Sequence, residues 1–179
     1  MSPTTQLREK KLGQGMLVIS FALALTSLTV FFDGWIKSQR NPNAEPGSTL
    51  LEDGSLEVAL LRNRQGHYMA AGTINGWPVT FLLDTGATDV AVPAGVAGKI
   101  GLLYGAETRV ITAAGIVPVF STTISKLTLG SIELSGVSAS ISPSMRGDTI
   151  LLGMSALKRL EFAQRENTLT LRQSGSQKE

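Results

Sequence analysis

Residues 81–88 read Phe81-Leu82-Leu83-Asp84-Thr85-Gly86-Ala87-Thr88. Three large apolar side chains lead directly into an acid, and a carboxylate is expensive to bury unless something pairs with it. The residues after it are small. Gly86 lets the backbone come close and take unusual dihedrals, and Thr85 offers a hydroxyl that both donates and accepts. Such a turn can bring backbone N–H groups to the Asp84 carboxylate. Taken alone, Asp-Thr-Gly reads better as a strand ending in an Asx turn with its acid solvated. A second stretch shifts the balance. Thr149-Ile150-Leu151-Leu152-Gly153-Met154 is an apolar strand running into glycine and then into a short helix.

Around these two stretches the chain reads as β structure. Residues 68–74 and 77–83 flank Asn75-Gly76, and Asn-Gly between apolar runs is the strongest short hairpin signal. Further strands are expected at 88–92, 107–112, 116–121, 124–129, 131–141, 149–152 and 168–172, with a tight turn at Gly130-Ser131. One short helix is expected at 154–160. Many short strands at close spacing make a small closed barrel or a sandwich.

The amino-terminal part differs in kind. Leu12 to Phe32 carries no charge, and at ~1.5 Å per residue a helix of that length spans a bilayer. Trp35 follows at an interfacial position. Arg8, Lys10 and Lys11 precede the run, and Lys37 and Arg40 follow it. This bias favours an inside amino terminus and an outside body. A cleaved signal peptide is the alternative, but Thr-Val-Phe-Phe-Asp at 29–33 is too bulky for a cleavage site. The expected organisation is a cytoplasmic segment 1–11, a transmembrane anchor 12–36, a turn-rich linker 37–54, a β domain 55–173 and a disordered tail 174–179. The anchor would sit in the inner membrane as a single pass, with the body on the periplasmic side.

Composition excludes several functions. The formal net charge is +2, and residues 38–179 hold as many acids as bases, so no concentrated basic face exists for nucleic acid. The absence of cysteine removes disulfides, thiol nucleophiles and thiolate metal sites, and a lone His67 removes histidine clusters. No metal and no cofactor is expected. His67 reads as a surface residue, the serines of 135–144 lack a base, and Lys158-Arg159 reads as the solvated face of a helix.

Apolar-apolar-Asp-Thr-Gly-Ala, followed later by apolar-apolar-Gly and a short helix, resembles the retropepsin-like aspartic peptidases, and among them the bacterial membrane-anchored members. The resemblance runs from Gly66 to Arg172. It takes in Gly66-His67-Tyr68, Ile74-Asn75-Gly76, Phe81–Thr88, Thr112-Ala113-Ala114-Gly115 and Ile150–Ser155. It implies an all-β closed barrel of the acid-protease type, with one short carboxy-terminal helix, behind an amino-terminal transmembrane helix. It also implies roles. Asp84 would be the catalytic carboxylate. Thr85 would bond the partner's equivalent loop across a dimer axis, and Gly86 would donate its N–H toward the carboxylates, within the loop Asp84–Thr88. Thr112, Ala113, Ala114 and Gly115 would form a flap tip over substrate. Leu152 and Gly153 would pack beneath the loop. Retroviral relatives commonly pair an acid after Asp-Thr-Gly-Ala with an arginine after the later glycine. Thr88 and Met154 stand there instead, so dimer contacts in this region must be built differently.

This chemistry needs two carboxylates sharing one proton, one acting as general base toward water and the other as acid toward the scissile carbonyl. The sequence holds a single Asp-Thr-Gly; Asp53, Asp89 and Asp148 lack its flanks. The second carboxylate is therefore expected from another copy of the chain about a two-fold axis, with polypeptide as substrate. The rival readings are a non-catalytic dimerisation or peptide-binding module on the same fold, and a two-carboxylate glycosidase, which would need a second acid on another element.

Overall fold

The computed structural model describes residues 3–112 and 115–175. The chain divides into two units, Met1–Gln39 and Arg40–Glu179.

The first unit is occupied by helix α1, Pro3–Arg40. Within its stretch Gly15–Arg40 an 18-residue window has a mean hydropathy of 2.1, and the helix is long and apolar enough to cross a membrane. Helices of this kind at an amino terminus serve either as membrane spans or as signal sequences. Leu17, Phe21, Leu23, Val30 and Phe31 all stand exposed. The hydroxyls of Thr26 and Thr29 donate to the carbonyls of Ala22 and Leu25, one turn back. That bond lets a threonine sit in an apolar helix with no polar group unsatisfied.

The second unit is mostly strand. Seven strands form one sheet in the order β3 (Met69–Ile74), β4 (Trp77–Leu83), β9 (Thr149–Leu152), β5 (Val90–Pro93), β8 (Ile132–Ser142), β7 (Gly115–Leu129), β6 (Glu107–Thr112). Thr73 and Ile74 of β3 also pair with Thr128 and Leu127 of β7, which closes the sheet into a barrel. Phe81, Ile74, Ile124, Leu127, Ile141, Ile150 and Leu152 fill it. The β3–β4 hairpin turns at Asn75 and Gly76, with φ of +50° and +85°, the two left-handed residues that a type I′ turn needs. The β7–β8 hairpin turns at Gly130, φ +58°, with Leu129 opposite Ile132. Buried positions along β8 change parity between Leu134 and Val137, around Gly136 at φ +60°. Arg159 donates to the carbonyls of Ser135 and Gly136, at 2.6 and 2.9 Å. This side chain, expected merely to be solvated, ties the end of the short helix to the hairpin.

A second sheet runs β1 (Gly47–Leu50), β2 (Leu56–Leu61), β11 (Thr168–Gln173), β10 (Glu161–Arg165). Three of these strands were not anticipated. Helix α2, Ala94–Lys99, is also unanticipated, and α3 stops at Leu157 rather than reaching 160. Beyond Leu157 the turns tighten: Arg159 and Leu160 donate three residues back, to Ala156 and Leu157.

Residues 37–54 are more ordered than a turn-rich linker suggests. Asn43 is 4% exposed. Its amide donates to the carbonyls of Leu61 and Met69, at 2.9 and 2.6 Å, and its Oδ1 accepts from Leu61 N–H at 2.7 Å. Asn63 likewise donates to the Arg40 carbonyl at 2.9 Å. Two buried amides thus strap residues 40–46 to the body, and β1 continues the second sheet. Asn43→Ala is expected to destabilise the body by about 1–3 kcal/mol, because Leu61 N–H and two carbonyls lose their partner. A urea midpoint unchanged from wild type would contradict this.

Asp53 accepts hydrogen bonds from the hydroxyl and N–H of Ser55 and pairs with Arg172. The Ser55 hydroxyl contributes most to holding its pKa below the ordinary 3.8, followed by the Ser55 N–H and then the Arg172 charge. A carboxylate with a depressed folded-state pKa gives stability that is present above the unfolded value and lost as pH falls through the folded one. Asp53→Asn should therefore lower the thermal midpoint slightly at neutral pH, with the gap closing below 3.8. The effect is small because the pair is exposed, and a gap that widens in acid would contradict it.

Candidate active site

Asp84 is the first residue after β4. Strand β9 lies between β4 and β5, parallel to β4 and antiparallel to β5. The chain leaves β4, runs through residues 84–89 and re-enters the sheet on the far side of β9. The two apolar motifs of the sequence are thereby adjacent, with Leu82 opposite Leu151 and Leu83 opposite Leu152. The Asp84 N–H donates to the Leu152 carbonyl at 3.1 Å, and the Ala87 N–H donates to the Asp84 carbonyl at 3.2 Å. Gly86 N–H donates to Asp84 Oδ1 at 2.9 Å. A side chain on Gly86 would put its Cβ 3.1 Å from that oxygen. Any larger residue would need the carboxylate to give way by a few tenths of an ångström, and glycine leaves it in place.

Gly153 has φ −86° and ψ −174°, ordinary extended backbone. Space, not conformation, demands glycine there. An added Cβ would lie 2.2 Å from the Asp89 carbonyl oxygen and 2.7 Å from that of Ala87. The next two N–H groups, of Met154 and Ser155 at the start of α3 (Met154–Leu157), donate to the carbonyls of Ala87 and Thr88, both at 2.8 Å. Main-chain bonds at these positions brace the loop where an acid–arginine pair is missing. Leu152 is buried beneath.

Asp84 and Ala87 are half-buried, while Thr85, Gly86 and Thr88 are exposed. Beside the loop lies a cavity of about 290 Å³, walled by Tyr68, Leu83, Thr85, Leu157 and Phe162 among others. The Tyr68 hydroxyl is buried there without a hydrogen-bond partner. A larger cavity of about 550 Å³ runs along β2, β10 and β11 and touches no residue of the loop. Asp84 lines neither.

The expected flap corresponds to the β6–β7 hairpin at the edge of the larger sheet. Thr112 pairs with Gly115, whose φ is +109°, and the Thr112 hydroxyl donates to the Gly115 carbonyl at 2.8 Å. Ala113 and Ala114 lie outside the described residues. Ile111 and Ile116, opposite each other near the hairpin end, are 87% and 68% exposed. His67 is exposed and joins a turn through its N–H to Asn63 Oδ1. Sequence reasoning gave no role to Ser155 or Tyr68. Ser155 was legible only as a small hydroxyl following the apolar-Gly element.

An Asp-Thr-Gly loop leaving one barrel strand, held by an apolar-Gly strand and a short helix, defines the retropepsin-like aspartic protease class. This chain belongs to the family described as "gag-polyprotein putative aspartyl protease", whose model matches residues 70–159. A retropepsin-like aspartic protease from Rickettsia conorii superposes with a TM-score of 0.58 at 25% identity, covering 72% of this chain and 96% of that one. The EIAV protease, solved with an inhibitor, gives a TM-score of 0.44 at 20% identity, over 54% of this chain and 89% of the other. A Sinorhizobium sp. protein, described as "Uncharacterized protein in cobV 5'region", is 33% identical over 134 residues. That match takes in 71% of this chain and 58% of the relative's length.

Proposed function

We propose that the chain is a membrane-anchored aspartic endopeptidase, active as a homodimer in which Asp84 of each copy supplies one carboxylate. The observation that carries this is the Asp84 loop itself. A half-buried carboxylate stands at a strand end, fixed by Leu152 behind and by the Gly86 N–H beside it. Two such groups brought together cannot both ionise easily, so they hold one proton between them. The ionised member takes a proton from water, and the protonated member donates to the carbonyl oxygen of the scissile bond. Thr85, exposed at the loop tip, would bond the partner's loop. Thr112 to Gly115 would close over an extended polypeptide lying as an added strand.

In this reading residues 12–36 are the anchor, 1–11 face the cytoplasm, and the body acts on the outer face of the inner membrane. The straps at Asn43 and Asn63 favour counting residues from 40 onward with the catalytic body. Anchoring would raise the effective concentration of two chains in one membrane, so a weak dimer could still form.

The test is cleavage of an unstructured protein by the purified full chain in detergent, with dimerisation measured in parallel. Cleavage should peak below neutral pH. No cleavage from about pH 3 to about pH 8 at concentrations where the dimer is present would favour the non-catalytic module. Orientation is separately testable: a reporter fused after Arg172 should be active only outside the cytoplasm.

A further inference from the structure

Behind the Asp84 loop, one side chain joins three separate pieces of chain. Ser155 is 6% exposed, and its polar atoms are engaged. Its Oγ donates to the Ser138 carbonyl of β8 at 2.7 Å and accepts from the Val90 N–H of β5 at 3.0 Å. Its own N–H donates to the Thr88 carbonyl. Few groups so small can donate and accept at once, and each partner here is a backbone group.

The consequence lies in where those partners sit. The loop enters from β4, where Asp84 N–H is held by Leu152. It leaves at Thr88–Val90, where the chain joins β5 and Val90 pairs with Ala139, next to Ser138. Entry and exit are both hung on the run Leu152–Ser155. The entry is held by main chain. The exit is held by main chain at Ala87 and Thr88 and, in addition, by a side chain, since the Ser155 hydroxyl bridges Val90 N–H and the Ser138 carbonyl.

We propose that Ser155 is a positioning residue for Asp84, one that fixes the exit of the loop so that the carboxylate keeps its place for the partner's. This rests on the peptidase reading above. Ser155 touches no substrate, so the expected effect is on turnover rather than on binding.

Ser155→Ala and the near-isosteric Ser155→Cys test it in the full chain. A misplaced catalytic group should lower kcat by about 10–100-fold while KM stays within about twofold. Amide exchange should speed up by about tenfold or more at residues 85–90, and not along β7 and β8. Unchanged kcat, equal acceleration of exchange across the barrel, or failure of both variants to fold would overturn the proposal by making Ser155 a general core residue. The exchange measurement needs no turnover. A wild type that cuts nothing would sink the peptidase reading, while exchange still decides whether Ser155 governs the loop.

Discussion

Asp84→Asn is expected to slow peptide cleavage by roughly 10²–10⁴-fold while leaving the fold and the proposed dimer in place. The amide is nearly the shape of the carboxylate. It keeps an oxygen for the Gly86 N–H, and the main-chain bonds to Leu152 and Ala87 do not involve the side chain. What it loses is the ability to carry negative charge and to pass a proton. Thermal midpoint and mass in solution should therefore match wild type, and only the rate should fall. Equal rates in the two proteins would remove Asp84 from the chemistry.

Gly153→Ala should act in the opposite manner, through structure first. One methyl would have to occupy space 2.2 Å from the Asp89 carbonyl oxygen, with Ala87 nearly as close. Both are backbone atoms of the loop and cannot swing aside. Overpacking of this kind costs about 1–3 kcal/mol, and relief must come from moving residues 87–89 off α3. That movement carries Asp84 with it, so a further rate loss of about 10²-fold is expected from misplacement. Gly95→Ala is the matched control. It lies in α2 with open space around its Cβ position, and alanine should be neutral or should stabilise by up to about 1 kcal/mol. Comparable denaturant midpoints for the two variants would contradict the packing account.

The contrast between those glycines also explains what could be read from sequence. The β3–β4 hairpin was legible because Asn75-Gly76 states its own backbone geometry. Phe81–Leu83 and Ile150–Leu152 were each legible as apolar strands, whereas their parallel pairing was not, because nothing local marks a partner so distant in the chain. Helix α2 was not, because Ala94–Lys99 holds two glycines and forms only to bury Val96 and Ala97. Strand β10 was not, because all five of its residues are exposed and no period of two marks them. It exists because β11 offers an edge to pair with. The role of Asn43 is invisible locally, since its partners lie 18 and 26 residues away. Within the site, Asp84, Thr85 and Gly86 were legible from their flanks and Gly153 from its place after Leu152. Ser155 was quoted in the motif yet unassigned, because a serine after Gly-Met gives no hint that its partners sit on two other strands.

The central claim is that Asp84 is half of a site. The direct measurement is cleavage rate at fixed wild-type concentration while folded Asp84→Asn chain is titrated in. Mixed dimers should form and the rate should fall toward that of the variant, with the rate per chain rising with concentration when wild type is diluted alone. A rate per chain that ignores both dilution and added variant would mean that one chain carries a complete site, and the paired-carboxylate account would fail.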